Sequence, residues 1–198
     1  VELLQEQLRI SPSVVTALVR RGLLAIEQEP VYRDAFGTRA VPPPAALTPT
    51  TAQRTAIDRL AAGRPGEVFL LHGVTGSGKT LVYIELLREL VTRRGRSAIV
   101  LVPEIALTPQ TVDRFRSAFG DHVAVLHSAL SDGERLDAWR AIRRGERSIV
   151  VGARSAIFAP LERVGAIIVD EEHETSYKQG ETPRYHARDV AIVRARHE

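Results

Sequence analysis

Gly73-Val74-Thr75-Gly76-Ser77-Gly78-Lys79-Thr80 carries two glycines, a lysine and a hydroxyl residue in the spacing G-x-x-x-x-G-K-[ST]. That spacing suits a triphosphate. Glycines let the backbone wrap closely enough for its N–H groups to point at phosphate oxygens, and a helix starting near Lys79 adds its positive end. Lys79 can then reach the β- and γ-phosphates, and the Thr80 hydroxyl can ligate Mg²⁺. All eight residues, Thr75 included, are therefore candidates for binding ATP. About ninety positions on, Asp170-Glu171-Glu172-His173 follows four apolar residues, Ala166 to Val169. An acid at the C-terminal end of a buried strand lies on the side of a sheet where a phosphate loop opens. Asp170 is a candidate for holding the magnesium through water, and Glu171 for polarising the attacking water. A GTPase switch has no need of the second acid, so Glu171 favours ATP hydrolysis. Gln53, some twenty residues before the phosphate loop, could read adenine with its amide; a lone glutamine on a helix is otherwise simply solvated.

Three further segments sit where strands should end: Val102 to Gln110, His127 to Ser131 and Gly152 to Pro160. Pro103, Thr108, Ser128, Arg154 and Ser155 supply backbone amides, hydroxyls and one guanidinium. Such groups hold a phosphodiester backbone without reading its sequence. Ordinary helix capping by Thr108, Ser128 and Ser155 is the alternative. The segment Ser176 to Arg188 interleaves Tyr177 and Tyr185 with Lys178, Arg184, His186 and Arg188, and the whole chain has four tyrosines. Aromatics among cations suit stacking on bases beside phosphate pairing; a plain surface loop is the other possibility.

The elements that must position these groups can be read from periodicity. Glu67 to His72 reads as a buried strand running into the phosphate loop, and Thr80 to about Arg93 as a helix. Strands are expected at Ser97–Val102, His122–Leu126, Ser148–Val151 and Val164–Val169, and helices at about Thr108–Ala118 and Asp132–Arg144. This alternation predicts an α/β fold, a doubly wound parallel sheet with helices on both faces. Residues 1–35 have a different grammar. Leu3, Leu4 and Leu8 suit a helix end, Ser11 and Pro12 a helix start, and Arg20-Arg21-Gly22 its finish. Leu24, Ile26 and Val31 suggest two short strands. Helix, helix and hairpin is the order of a winged-helix module, here in part; a generic helical hairpin is the alternative. The expected division is residues 1–40 for that module, a proline-rich linker at 41–46 and a nucleotide-binding lobe at 47–198.

Composition narrows the classes. The chain of 198 residues has no cysteine, which excludes a disulfide scaffold and a thiolate zinc site within it. No apolar run reaches the roughly 18 residues of a membrane span. Of 27 basic residues only Lys79 and Lys178 are lysine, and the net charge is +3. A pI near 9.7 permits nucleic acid as a partner without demanding it. The chain starts at Val1 and has no methionine, so it reads as part of a longer product.

In this order GVTGSGKT, LVPEIALTPQ, HSALSDGER, GARSAIFAP, DEEH and SYKQ…PRYHARD resemble the motifs of the primosomal replication-restart helicases, the primosomal protein N′ (PriA) family of helicase superfamily 2. The resemblance covers about Leu47 to Ala195, and the leading block resembles the end of that family's winged-helix domain less specifically. It implies a RecA-like motor lobe of DEAH-box type that uses ATP and Mg²⁺. It also implies 3′ to 5′ unwinding of DNA at stalled forks, with assembly of the primosome. Forks and single-stranded DNA, single-stranded DNA-binding protein and other primosome proteins are the implied partners, and a bacterial cytoplasm at the nucleoid is the implied location. The roles of Gln53, Pro103 to Thr108, Ser128, Arg154 and the tyrosine segment rest chiefly on this resemblance. By the same resemblance a third motif, a cysteine-rich Zn²⁺ module and a second motor lobe carrying an arginine for the ATP site would follow, and a domain that recognises DNA 3′ ends would precede. The alternatives are another superfamily 2 translocase, against which Ser176 to Arg188 argues, and a non-catalytic nucleotide- and DNA-binding module.

Overall fold

A computed structural model of the chain describes residues 11–25, 41, 43, 47–74 and 76–198. The chain divides into two compact units, Val1–Tyr32 and Arg33–Glu198.

In the first unit, helix α1 spans Pro12–Arg20. Proline stands at its first turn, where a missing N–H costs nothing. Ser11 occupies the N-cap, but its hydroxyl pairs with Ser13 Oγ at 2.7 Å rather than with a helix N–H. The helix ends as expected at Gly22, whose φ of +69° lets Leu23 N–H return to Leu18 O. The early leucines, Ile26 and Val31 lie outside the described residues, as does most of the proline-rich stretch.

The second unit is a four-stranded, wholly parallel sheet: β1 Ser97–Leu101, β2 Val123–Leu126, β3 Ile149–Gly152 and β4 Val164–Val169, in the order β2-β3-β1-β4. Parallel strands need crossovers, and helices supply them. The helices are α2 Thr51–Ala61 and α3 Lys79–Leu87, continued by a π turn at Arg88–Arg93, before β1; α4 Pro109–Phe119 and α5 Asp132–Arg143, the crossovers from β1 to β2 and from β2 to β3; and α6 Ala187–Ala195 after β4. Strand side chains alternate between the two faces. Ala98, Val100, Val123, Val125, Ile149 and Val151 pack with Tyr83 and Leu87 of α3 and with Val112, Phe115 and Phe119 of α4. Ile99, Leu101, Ala124 and Val150 pack on the opposite face with Ile142 of α5 and Ala187 and Ala191 of α6. Helices thus cover both faces, as the alternation predicts. The helix starts are fixed locally: Thr50 and Gln53 form a capping box on α2, and Ser131 and Glu134 another on α5.

One expected strand is absent. Glu67 to His72 makes no ladder, and Val68 and Leu70 are 60% and 78% exposed. A strand needs a ladder partner, and among the described residues this segment has none. Its start is tied to α2 instead: Arg59 pairs with Glu67 at 3.0 Å and lies 5.1 Å from the centre of the Phe69 ring. β4 likewise pairs only with β1, so its outer edge has no ladder partner among the described residues.

Candidate nucleotide and nucleic-acid site

The four strands end together, at Leu101, Leu126, Gly152 and Val169. The segments carrying the candidate residues leave from those ends. The phosphate loop closes onto the N-terminus of α3. Gly76 and Gly78 have φ of +79° and +83°, conformations that a side chain disfavours. A Cβ on Gly78 would also strike the Gln53 amide, and one on Gly73 would come within 2.7 Å of Ser77 Oγ. Thr75 lies outside the described residues. Val74, Gly76 and Ser77 line the exposed loop, and Thr80 is half-buried in the first turn of α3.

Lys79 folds back over the loop. Its ammonium donates to Gly73 O at 2.7 Å and to Val74 O at 3.4 Å, and lies 3.9 Å from Glu171 Oε1. The loop lysine and the second acid therefore meet, although 92 positions separate them in sequence. Glu171 has φ of +45°, an uncommon conformation for a residue with a side chain. Such backbone strain is retained where the surrounding structure dictates it, and it clusters at functional sites.

Asp170 is held on three sides. Its N–H continues the ladder to Leu101 O at 2.9 Å. Its carbonyl accepts from Tyr177 Oη at 2.7 Å, and its Oδ1 accepts from Tyr83 Oη at 3.1 Å. Burial first, and then the neighbouring Asp170 charge, push both phenols well above the ordinary tyrosine range, so both remain donors.

Gln53 sits next to the loop with both ends of its amide engaged. Oε1 accepts from Thr50 N–H at 2.9 Å and Nε2 donates to Ser77 O at 3.0 Å. It braces the phosphate loop from α2 rather than being simply solvated.

Past the ends of β1, β2 and β3 lies a cleft of about 500 Å³. Ser128, Arg154, Ser155, Tyr177 and Tyr185 line it together with Glu104, Arg135, Trp139 and Phe158. Phe158 and Tyr185 meet edge to face at 5.1 Å. Burial holds the His127 imidazole at its floor below the usual histidine range. Pro103, Thr108, Lys178, Arg184 and Arg188 do not line it. Pro103 is buried and precedes the 3₁₀ turn Glu104–Ala106, and Thr108 caps α4 by accepting from Thr111 N–H at 3.3 Å. Ser128 donates to Glu104 rather than capping a helix. Arg188 pairs with Glu172 at 2.8 Å, Arg184 donates to Gly180 O at 3.1 Å, and Lys178 is exposed.

One sequence expectation changes here. Tyr177 is 1% exposed and bonded to Asp170, so it cannot offer its ring to a nucleic acid. Composition suggested a surface aromatic, but the hydroxyl found a main-chain partner inside the core. Arg154 spends Nη1 on the carbonyls of Ser176 at 3.1 Å and Lys178 at 2.7 Å, clamping the loop on either side of Tyr177. Tyr83, Trp139 and Phe158 were missed. Tyr83 follows Lys79 by four positions, one helical turn, and that spacing was its available signal. Trp139 and Phe158 had none beyond being aromatic.

The donors near the loop suit magnesium. Thr80 and Asp170 present hard oxygen ligands only, and Mg²⁺ typically takes one or two carboxylates with water and substrate phosphates. Among the described residues no group of three or more His, Asp or Glu side chains converges as an all-protein cage, and this mode of binding needs none.

A nucleotide loop and paired acids on a parallel sheet define a P-loop motor lobe. The DEAD/DEAH box helicase family model matches residues 50–196, and the chain belongs to that family. It is 53% identical over 190 residues to the replication restart protein PriA of Bacillus subtilis (strain 168), covering 94% of this chain and 24% of that protein. It is 47% identical over 186 residues to PriA of Synechocystis sp., covering 93% of this chain and 22% of that protein. The chain thus spans about a quarter of the length of these relatives. The crystal structure of the UvsW helicase from bacteriophage T4 shares the fold, with a TM-score of 0.54 at 18% identity, over 91% of this chain and 64% of that one.

Proposed function

We propose that this chain is the ATP-binding lobe of a 3′ to 5′ DNA helicase of replication restart, acting at stalled forks. The observation that carries the reading is the meeting of Lys79 with Glu171 at the end of β4, beside Asp170. In this reading the backbone of Gly73 to Thr80 cradles the phosphates. Lys79 exchanges its carbonyl partners for phosphate oxygens, and Glu171 orients the attacking water. Magnesium, held through Thr80 and Asp170, supplies charge neutralisation on the phosphates. Gln53, with one amide hydrogen and one lone pair left beside its bonds to Ser77 and Thr50, adds an adenine contact from α2. Single-stranded DNA crosses the strand ends, with Ser128, Arg154 and Ser155 toward the backbone and Tyr185 toward a base. Pro103, Thr108, Lys178, Arg184 and Arg188 extend that path. Single-stranded DNA-binding protein and primosome proteins are the partners of the whole protein, in a bacterial cytoplasm. Any zinc belongs to a region outside this chain. The 47–53% identity to PriA supports this reading.

ATP turnover of the full-length protein, with and without forked DNA, tests it. Lys79→Ala should abolish hydrolysis with the fold intact. Glu171→Gln should still bind nucleotide and lose turnover, because it removes water orientation rather than the cradle. Wild-type turnover in either variant refutes the assignment. This chain alone should show negligible DNA-stimulated hydrolysis. The arginine that a second lobe supplies in such sites is worth about 10³ to 10⁵ in rate.

A further inference from the structure

We propose that Tyr83 is a positioning residue for Asp170, fixing the carboxylate that receives magnesium; the inference rests on the reading of Asp170 just given. Tyr83 lies on α3 one turn beyond Lys79, and its ring is 9% exposed within the core. Its hydroxyl nevertheless leaves that apolar surrounding to donate to Asp170 Oδ1 at 3.1 Å. The Asp170 main chain is already pinned through its N–H to Leu101 and its carbonyl to Tyr177. With the backbone fixed, the side chain still has its two torsions, and the Tyr83 hydrogen bond to Oδ1 is what restrains them. Oδ1 is thereby assigned to the protein, and Oδ2 has no hydrogen-bond partner among the described residues. Packing alone would be served by phenylalanine at this position, so the hydroxyl is the informative atom.

The same helix carries Lys79 and Thr80 at its start. Tyr83 therefore ties the acid on β4 to the element that presents the phosphate loop, and sets the distance between the two halves of the site. Groups that hydrogen-bond a metal ligand from behind orient it, and their loss commonly costs 10- to 100-fold in metal affinity or activity.

The test is Tyr83→Phe in the full-length protein, which keeps the ring and removes the hydroxyl. Binding of a fluorescent ATP analogue is titrated with magnesium, and Mn²⁺ binding in the presence of ADP is followed by electron paramagnetic resonance. The expected result is a metal midpoint raised about tenfold or more, with unchanged metal-free nucleotide binding and unchanged far-ultraviolet dichroism. Saturating magnesium should restore most of the turnover. A midpoint within twofold of wild type overturns the proposal. So does an equal loss of metal-free nucleotide binding, which would mark Tyr83 as a packing residue. Lys79→Ala separates the underlying reading: if it leaves metal–nucleotide binding untouched, the site itself is misassigned, whatever Tyr83→Phe does.

Discussion

The two tyrosines of the segment after the acids should respond in opposite ways to substitution. Tyr177→Phe removes a buried hydroxyl from Asp170 O, a bond of 2.7 Å at a residue 1% exposed. A buried carbonyl left without its donor costs about 1–3 kcal/mol. For a chain of 150–250 residues each kcal/mol lowers Tm by about 2–4 °C. The expected loss is therefore about 2–12 °C in thermal unfolding of the chain, followed by circular dichroism. Binding to a labelled single-stranded oligonucleotide, measured by fluorescence anisotropy, should fall little. Tyr185→Ala should do the reverse. Its ring is half-buried at the cleft against Phe158. Loss of one base-stacking ring costs about 1–3 kcal/mol, or roughly 5- to 150-fold in affinity, and DNA stimulation of ATPase should fall more than basal ATPase. An unchanged Tm for Tyr177→Phe together with a several-fold loss of DNA affinity would refute the reasoning and return Tyr177 to the surface role.

Arg154→Ala should free the carbonyls of Ser176 and Lys178 and accelerate amide hydrogen exchange from Ser176 to Arg188; unchanged protection would show that the clamp does not order this loop. His127 should make stability pH-dependent. Its folded pKa lies below the ordinary 6.5, so the folded chain binds fewer protons than the unfolded one just below that pH. Stability should therefore fall as pH drops through about 6.5 toward the lower folded value. His127→Gln should flatten that slope in urea unfolding, and an identical slope in the variant would exclude the imidazole as its source.

The phosphate loop could be read from sequence because Gly76 and Gly78 answer a purely local demand for positive φ, and Lys79 and Thr80 follow at covalently fixed spacing. Asp170 was legible because a run of apolar residues ending in an acid marks a strand end whatever surrounds it. Glu67 to His72 has an equally apolar run, yet its strand state depends on a neighbouring edge that local pattern does not encode. The tyrosine segment shows the same limit at the level of side chains. Composition announced aromatics among cations, but which ring turns inward was decided by the carbonyl of Asp170, and that is a tertiary fact. Tyr83 was hidden for the converse reason: a tyrosine on the buried stripe of a helix looks like core until its hydroxyl partner is seen.

The margin of β4, unpaired among the described residues, has a practical side. A strand edge presents a row of main-chain donors and acceptors that another chain can match. Val68 and Leu70 are exposed apolar side chains elsewhere on the same unit. Two molecules meeting along that margin would satisfy main-chain donors and acceptors on both sides. A net charge of +3 opposes such a meeting, and added salt screens it. The expected outcome is self-association that grows with concentration and ionic strength, which light scattering of the chain would measure.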